Sequence, residues 1–301
     1  MPAEDTVHRW ASPQRSYGHY YEDIFVVIQV EQLLYRLPVA LLKKRSRVFS
    51  DLFSLPRSGS ICSTEGLSDG ELIILHGYSS REFNCLLDYL FGRSPNDTQA
   101  GSKSQCSVPF LISLLKMSSV FKISDGKSYA IAEMETHPEL DLATKLQLCF
   151  QYNLVQWLTP AFQQLISLPI EELREEDVLK IPSKILHSFI QVKHQMTTHR
   201  LTLASIPPPA MAGFACHTPL TCADTWERAW KEGPAEMLRH PDTFYSGREI
   251  LDQLESVEIS DVCDSCRDFS VINVKESGSL LLEEHFIENK ITELASWLAV
   301  L

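Results

Sequence analysis

A chain of 301 residues has room for about two domains of ordinary size, and 44% hydrophobic with 22% charged residues is the balance of a globular protein that buries a core. Its formal net charge of −12 excludes a generally basic nucleic-acid footprint and disfavours an anionic membrane surface. Met1 to Tyr20 holds no signal-peptide-like apolar run, and Ile24–Ile28 and Leu280–Leu282 fall far short of the roughly 20 residues that span a bilayer. The expectation is a soluble intracellular protein, in cytoplasm or nucleus, whose eight dispersed cysteines are thiols or metal ligands rather than a disulfide framework.

Residues 1–19 are polar and expected to be disordered. Asp23 to Ile28 is a short β-branched run that predicts a strand buried on both faces. Val30-Glu31-Gln32 reads as a turn into a second strand, Leu33–Leu37, paired as a hairpin. Pro38 then suits the first turn of a helix, where its missing N–H costs nothing. Val39, Leu42, Val48, Phe49, Leu52 and Phe53 recur at helical spacing and predict a helical hairpin with one face inside. Pro56 to Gly70 reads as a loop, Leu72–Leu75 as a third strand, and Ser79-x2-Glu82 as a helix cap ahead of the stripe Phe83, Leu86, Leu87 and Leu90. After a polar loop, Gly92–Ser107, helices are predicted over Val108–Phe121 and Tyr129–Glu135. Asp141–Leu168 reads as one helical region broken near Pro160, and Glu171–Val192 as another. Ile206-Pro207-Pro208-Pro209 predicts a stiff linker. The cysteine-bearing segment 216–266, a strand-like Phe269–Val274 and an amphipathic helix around Leu280–Ala299 complete the chain.

The first two blocks carry a resemblance. Asp23-Ile24-Phe25-Val26-Val27, then Tyr35-Arg36-Leu37-x4-Leu42-x3-Ser46-x2-Phe49-x3-Phe53, then Ile73-Ile74-Leu75 with Phe83-x2-Leu86-Leu87-x-Tyr89-Leu90-Phe91-Gly92, stand in the order and spacing of a BTB/POZ domain. Tyr152-Asn153-Leu154-x2-Trp157-Leu158-x-Pro160-Ala161-Phe162 is similar to the helical extension of BTB proteins from mushroom-forming (basidiomycete) fungi. The resemblance implies an α+β class: a BTB/POZ fold with a small mixed sheet covered by helices over 20–137, a helical extension over 138–205, and a cysteine-bearing region over 206–301. It also implies protein–protein interaction, with homodimerisation or cullin binding among the family's uses. Pro38 and Val39 stand where dimeric members carry a His and a basic residue, so Asp23 lacks its charged counterpart and the family's usual dimer is not implied.

The strongest chemical constellation is Cys216-x5-Cys222 with Cys263-x2-Cys266. Two-residue spacing lets both thiolates of a turn reach one tetrahedral Zn2+ at about 2.3 Å, and a second pair closes the site. With no open position such a site is structural, and His217 or His240 could replace one ligand. The resemblance to BTB proteins of mushroom-forming fungi implies a similar cysteine pattern. The alternatives are four reduced cysteines packed as small hydrophobes, or a redox pair at Cys263-x2-Cys266, which lacks the strand–helix setting of a βαβ unit. Cys62, Cys85, Cys106 and Cys149 show no metal spacing. Lys43-Lys44-Arg45-x-Arg47 reads either as an import signal or as the solvated side of an amphipathic helix. Trp226 and Trp230, four apart, read as core packing or a binding hot spot. His187, His194 and His199 are too irregular for a helical ligand pair, and Asn96-Asp97-Thr98 matches a glycosylation sequon that has no meaning without secretion.

No G-x-S-x-G, phosphate loop, H-E-x-x-H or EF-hand loop is present, so no enzyme is expected. The expected function is a non-catalytic scaffold or adaptor, in its most specific form a substrate adaptor of a cullin-based ubiquitin ligase. The alternative is a transcription-associated regulator acting through protein contacts, since the acidic balance and the lack of a C2H2 spacing oppose direct DNA binding.

Overall fold

The computed structural model describes residues 24–54, 72–92, 106–240, 245–256 and 259–300. Residues 1–19, Asp23, Cys62, the loop over Pro56–Gly70 and the sequon at Asn96 lie outside them. The chain divides into two compact units, Met1–Glu139 and Leu140–Leu301. Among the described residues, the fold class is mixed α+β, with one three-stranded sheet and helices elsewhere. No described helix is long and apolar enough to cross a membrane.

In the first unit, β1 (Phe25–Val30) and β2 (Leu33–Pro38) form an antiparallel hairpin in which Val30 faces Leu33 and Phe25 faces Pro38. Glu31 sits in the turn between them with φ 52°, a left-handed conformation uncommon outside glycine. Helices α1 (Val39–Arg45) and α2 (Arg47–Leu52) follow, separated at Ser46. The buried Ser46 Oγ accepts from the Phe49 N–H and donates to the Phe121 carbonyl at 2.6 Å, capping α2 and tying it to a later helix. β3 (Ile73–Leu75) then joins β1 in parallel, giving the order β2-β1-β3. α3 (Ser80–Leu90) opens on a complete capping box, with Ser79 and Glu82 each bonding the other's backbone N–H. It buries Phe83, Leu86, Leu87 and Leu90, the expected stripe. α4 (Val108–Val120) and α5 (Ser124–Glu135) cover it, and Phe49 stacks on Phe121 at 4.8 Å between centroids. Of the basic run on α1 and α2, Arg45 is engaged within this unit, ion-paired to Asp125 at 2.6 Å and lying over the Tyr89 ring.

The second unit is helical: α6 (Leu142–Gln151), α7 (Val155–Ser167), α8 (Glu175–Lys180), α9 (Ser183–Ser205), α10 (Pro219–Glu232), α11 (Pro234–Arg239), α12 (Gly247–Ser256), α13 (Asp264–Ser277) and α14 (Leu282–Leu298). α13 ends on Gly278, whose φ of 62° is the left-handed conformation that suits glycine at a helix C-terminus. A core of Trp226, Trp230, Leu238, Ile250, Leu254, Val271 and Val274 joins α10 to α13. α9 and α14 are linked by Arg200, which grips the buried Glu283 carboxylate with two bonds of 2.7 and 2.8 Å and also donates to the Tyr245 carbonyl.

Two local expectations are corrected. The break expected near Pro160 falls instead at Tyr152–Leu154, where Asn153 takes φ 54° and tolerates it better than most residues; Pro160 lies inside α7. The strand expected over Phe269–Val274 is part of α13. Its β-branched residues favour extension in isolation, but the buried set Cys266, Ser270, Val271 and Val274 repeats at helical spacing, and burial decides. Ile206–Pro209, expected as a stiff linker, forms a strap tied to α10: the Pro208 carbonyl accepts from Trp226 Nε1 at 2.9 Å.

Candidate metal centre

Four sulfurs from two segments far apart in sequence meet in the second unit. The Sγ atoms of Cys216, Cys222, Cys263 and Cys266 all lie within 4.8 Å of one another. Cys216 leaves a tight turn closed by its own N–H on the Gly213 carbonyl at 3.0 Å. Cys222 lies in the first turn of α10, which starts on Pro219, where a missing N–H costs nothing. Cys263 is the N-cap residue of α13, and Cys266 lies one turn on. Cys222 and Cys266 are buried, while Cys216 and Cys263 lie nearer solvent. Val262 and Ile259 pack against the cluster from the loop before α13.

The spacing of the sulfurs discriminates between chemistries. Cys216 Sγ and Cys222 Sγ are 3.7 Å apart. A disulfide needs about 2.05 Å. A tetrahedral ion with Zn–S bonds of about 2.3 Å separates its sulfurs by about 3.8 Å. The Cys216–Cys222 separation therefore rules out a disulfide between this pair and is compatible with one edge of a four-thiolate metal site, with all four sulfurs within 4.8 Å. Cys263 stands at the N-terminus of α13, where backbone N–H groups favour negative charge.

A backbone donor completes the arrangement. The Gly213 N–H donates to Cys266 Sγ at 3.1 Å, a bond that fixes the sulfur's orientation. Gly213 is required for this approach, because a Cβ at that position would stand 2.1 Å from Ser265 Oγ and 2.7 Å from the Ser265 carbonyl carbon. Three of the thiols are shifted from their ordinary value by burial, backbone amides and neighbouring sulfurs. Burial pushes Cys216 up to about 12, helped by its sulfur neighbours. The backbone amide of Cys266, then its thiol, holds Cys263 below the ordinary thiol value. At Cys266 the Gly213 amide lowers the value, but burial and the Cys263 and Cys222 thiols carry the balance upward.

The structure places the remaining flagged residues elsewhere. His217 and His240 are exposed, and neither belongs to the four-sulfur cluster. Trp226 and Trp230 are buried, with their Nε1 atoms donating to the Pro208 and Leu203 carbonyls, and serve the helical core. His199 Nε2 lies 2.7 Å from the Ser279 carbonyl, whereas His187 and His194 are exposed on α9. Cys149 is a core thiol pushed up to about 11 by burial. Gly213 is the site residue that spacing rules miss; its only trace in the sequence is a glycine three residues before the first cysteine. Comparison with known proteins adds nothing to this geometry: no family model matches the chain, and no curated protein or solved structure matches it.

Proposed function

We propose that the protein is a non-catalytic interaction scaffold of the BTB/POZ type, whose C-terminal region is held in shape by a structural Zn2+ on Cys216, Cys222, Cys263 and Cys266. The observation that carries the metal reading is the meeting of four sulfurs within 4.8 Å. Four protein thiolates fill every corner of a tetrahedron, so no position remains for a substrate or a reactive water, and the ion's task is to join two chain segments. Support for the scaffold reading is the element order strand, strand, helix, helix, strand, helix over residues 25–90, the order of the BTB/POZ resemblance.

Elemental analysis of purified protein should find about one zinc per chain, lost on changing Cys263 and Cys266 to serine. Iron in place of zinc, or metal content unchanged in the serine variant, would sink the metal reading. The adaptor version of the scaffold reading expects a cullin to be recovered with the full-length protein in a pull-down. Recovery of other partners without cullin would remove that version.

A further inference from the structure

One large aromatic side chain stands almost wholly in water beside the sulfur cluster. Phe214 is 97% exposed although it directly follows Gly213, whose N–H holds Cys266 Sγ. The segment that carries it is pinned at three points: Met211 N–H donates to Ser270 Oγ at 2.8 Å, Gly213 bonds the sulfur, and Cys216 N–H closes the turn. Its ring makes an edge contact with Phe269 at 5.4 Å between centroids. Phe269 and Ile272, one helical turn apart on α13, are themselves exposed, as is Met211. An aromatic held in water on a pinned backbone is pre-organised, so little ordering cost remains when a partner covers it.

The charge of the two segments that carry this patch points to what would cover it. Segments 210–224 and 259–273 carry four aspartates, Asp224, Asp261, Asp264 and Asp268, against one cation, Arg267. Arg267 is turned to its own chain, with Nη2 donating to the Glu255 carbonyl at 2.6 Å. A Zn2+ on four thiolates adds a net charge of −2 to the same surface, a contribution that rests on the metal reading above. An anionic membrane and a second copy of this acidic surface are both repelled by such a field. We propose that the patch centred on Phe214 docks a basic amphipathic segment of another protein, apolar residues against Phe214, Phe269 and Ile272 and lysines or arginines against the aspartates.

The test uses the zinc-loaded full chain and two fluorescent helical peptides that share a leucine stripe, one with lysines and one with glutamates on the other face. Fluorescence anisotropy should show the lysine peptide binding at least about tenfold tighter, with the preference shrinking at high salt. Phe214→Ser should weaken the lysine peptide by about tenfold or more, as loss of an aromatic anchor does. Asp268→Lys should weaken it while leaving the aromatics in place. Zinc content is measured on every variant and should not change. Equal binding of both peptides, indifference to Phe214→Ser, or Phe214-dependent capture by phosphatidylserine vesicles would overturn the proposal. A chain with one zinc that binds neither peptide loses the docking surface and keeps the metal; a chain without zinc that binds through Phe214 does the reverse.

Discussion

Among the described residues, Trp226 and Trp230 pack with nine further buried residues running from α9 to Leu280, just before α14; Cys222 and Cys266 pack with one, Val262. The two clusters share α10 and α13, so the same pair of helices is closed twice, once by apolar bulk and once by sulfur. Few apolar side chains pack at the cysteine end, and the four sulfurs within 4.8 Å of one another are the groups that a metal cross-link would use there.

The largest expected effect separates the two clusters. Trp230→Ala removes a fully buried indole and orphans the Leu203 carbonyl, and should cost about 3–5 kcal/mol in denaturant unfolding. Its metal content should stay at the wild-type value; joint loss of stability and metal would show that the two clusters are one. Next in size is the Arg200–Glu283 pair, which closes α9 on α14 by charge rather than by bulk. Arg200→Ala leaves a buried carboxylate unpaired and should cost about 3 kcal/mol, while Arg200→Met with Glu283→Leu should recover most of it. Thermal unfolding of the single and double variants decides whether the pair is an apolar contact in disguise.

How far each closure could be read from the sequence depends on whether its cause is local. The α3 cap was legible because Ser79, Glu82 and the stripe from Phe83 to Leu90 all lie within one helix. Cysteine spacing likewise named the four sulfurs that the structure gathers. The strap at Ile206–Pro209 was not legible, since three consecutive prolines look the same whether or not a distant Trp226 bonds their carbonyl. The helix over Phe269–Val274 was hidden by β-branched residues, whose preference gave way to the burial of Cys266, Ser270 and Val274 on one side. Gly213 was hidden for the same reason as the strap: its need for hydrogen in place of a Cβ is set by Ser265, more than fifty residues away.

Gly213→Ala sharpens the sulfur side of the comparison. The added methyl must displace Ser265 backbone and so pull the Gly213 N–H from Cys266 Sγ. Metal affinity should fall about 10- to 100-fold in competition with a chromophoric chelator, with the tryptophan cluster unaffected. Unchanged affinity would mean that the thiols hold the ion without help from the backbone.

The smallest expected effect concerns a third kind of closure, made of hydrogen bonds alone, at the start of α3. Glu31 Oε2 accepts from the Ser80 N–H at 2.9 Å and from Ser80 Oγ at 2.7 Å. The Ser80 backbone bond, then the hydroxyl, holds the Glu31 carboxyl below its ordinary value of 4.5. A depressed folded-state value means that the carboxylate's contribution is complete above 4.5 and is lost as the pH falls through the folded value. Glu31→Gln should therefore lower the melting temperature slightly at neutral pH, and the difference from wild type should close on acidification. A gap of constant size across that range would assign the contact to shape and not to charge.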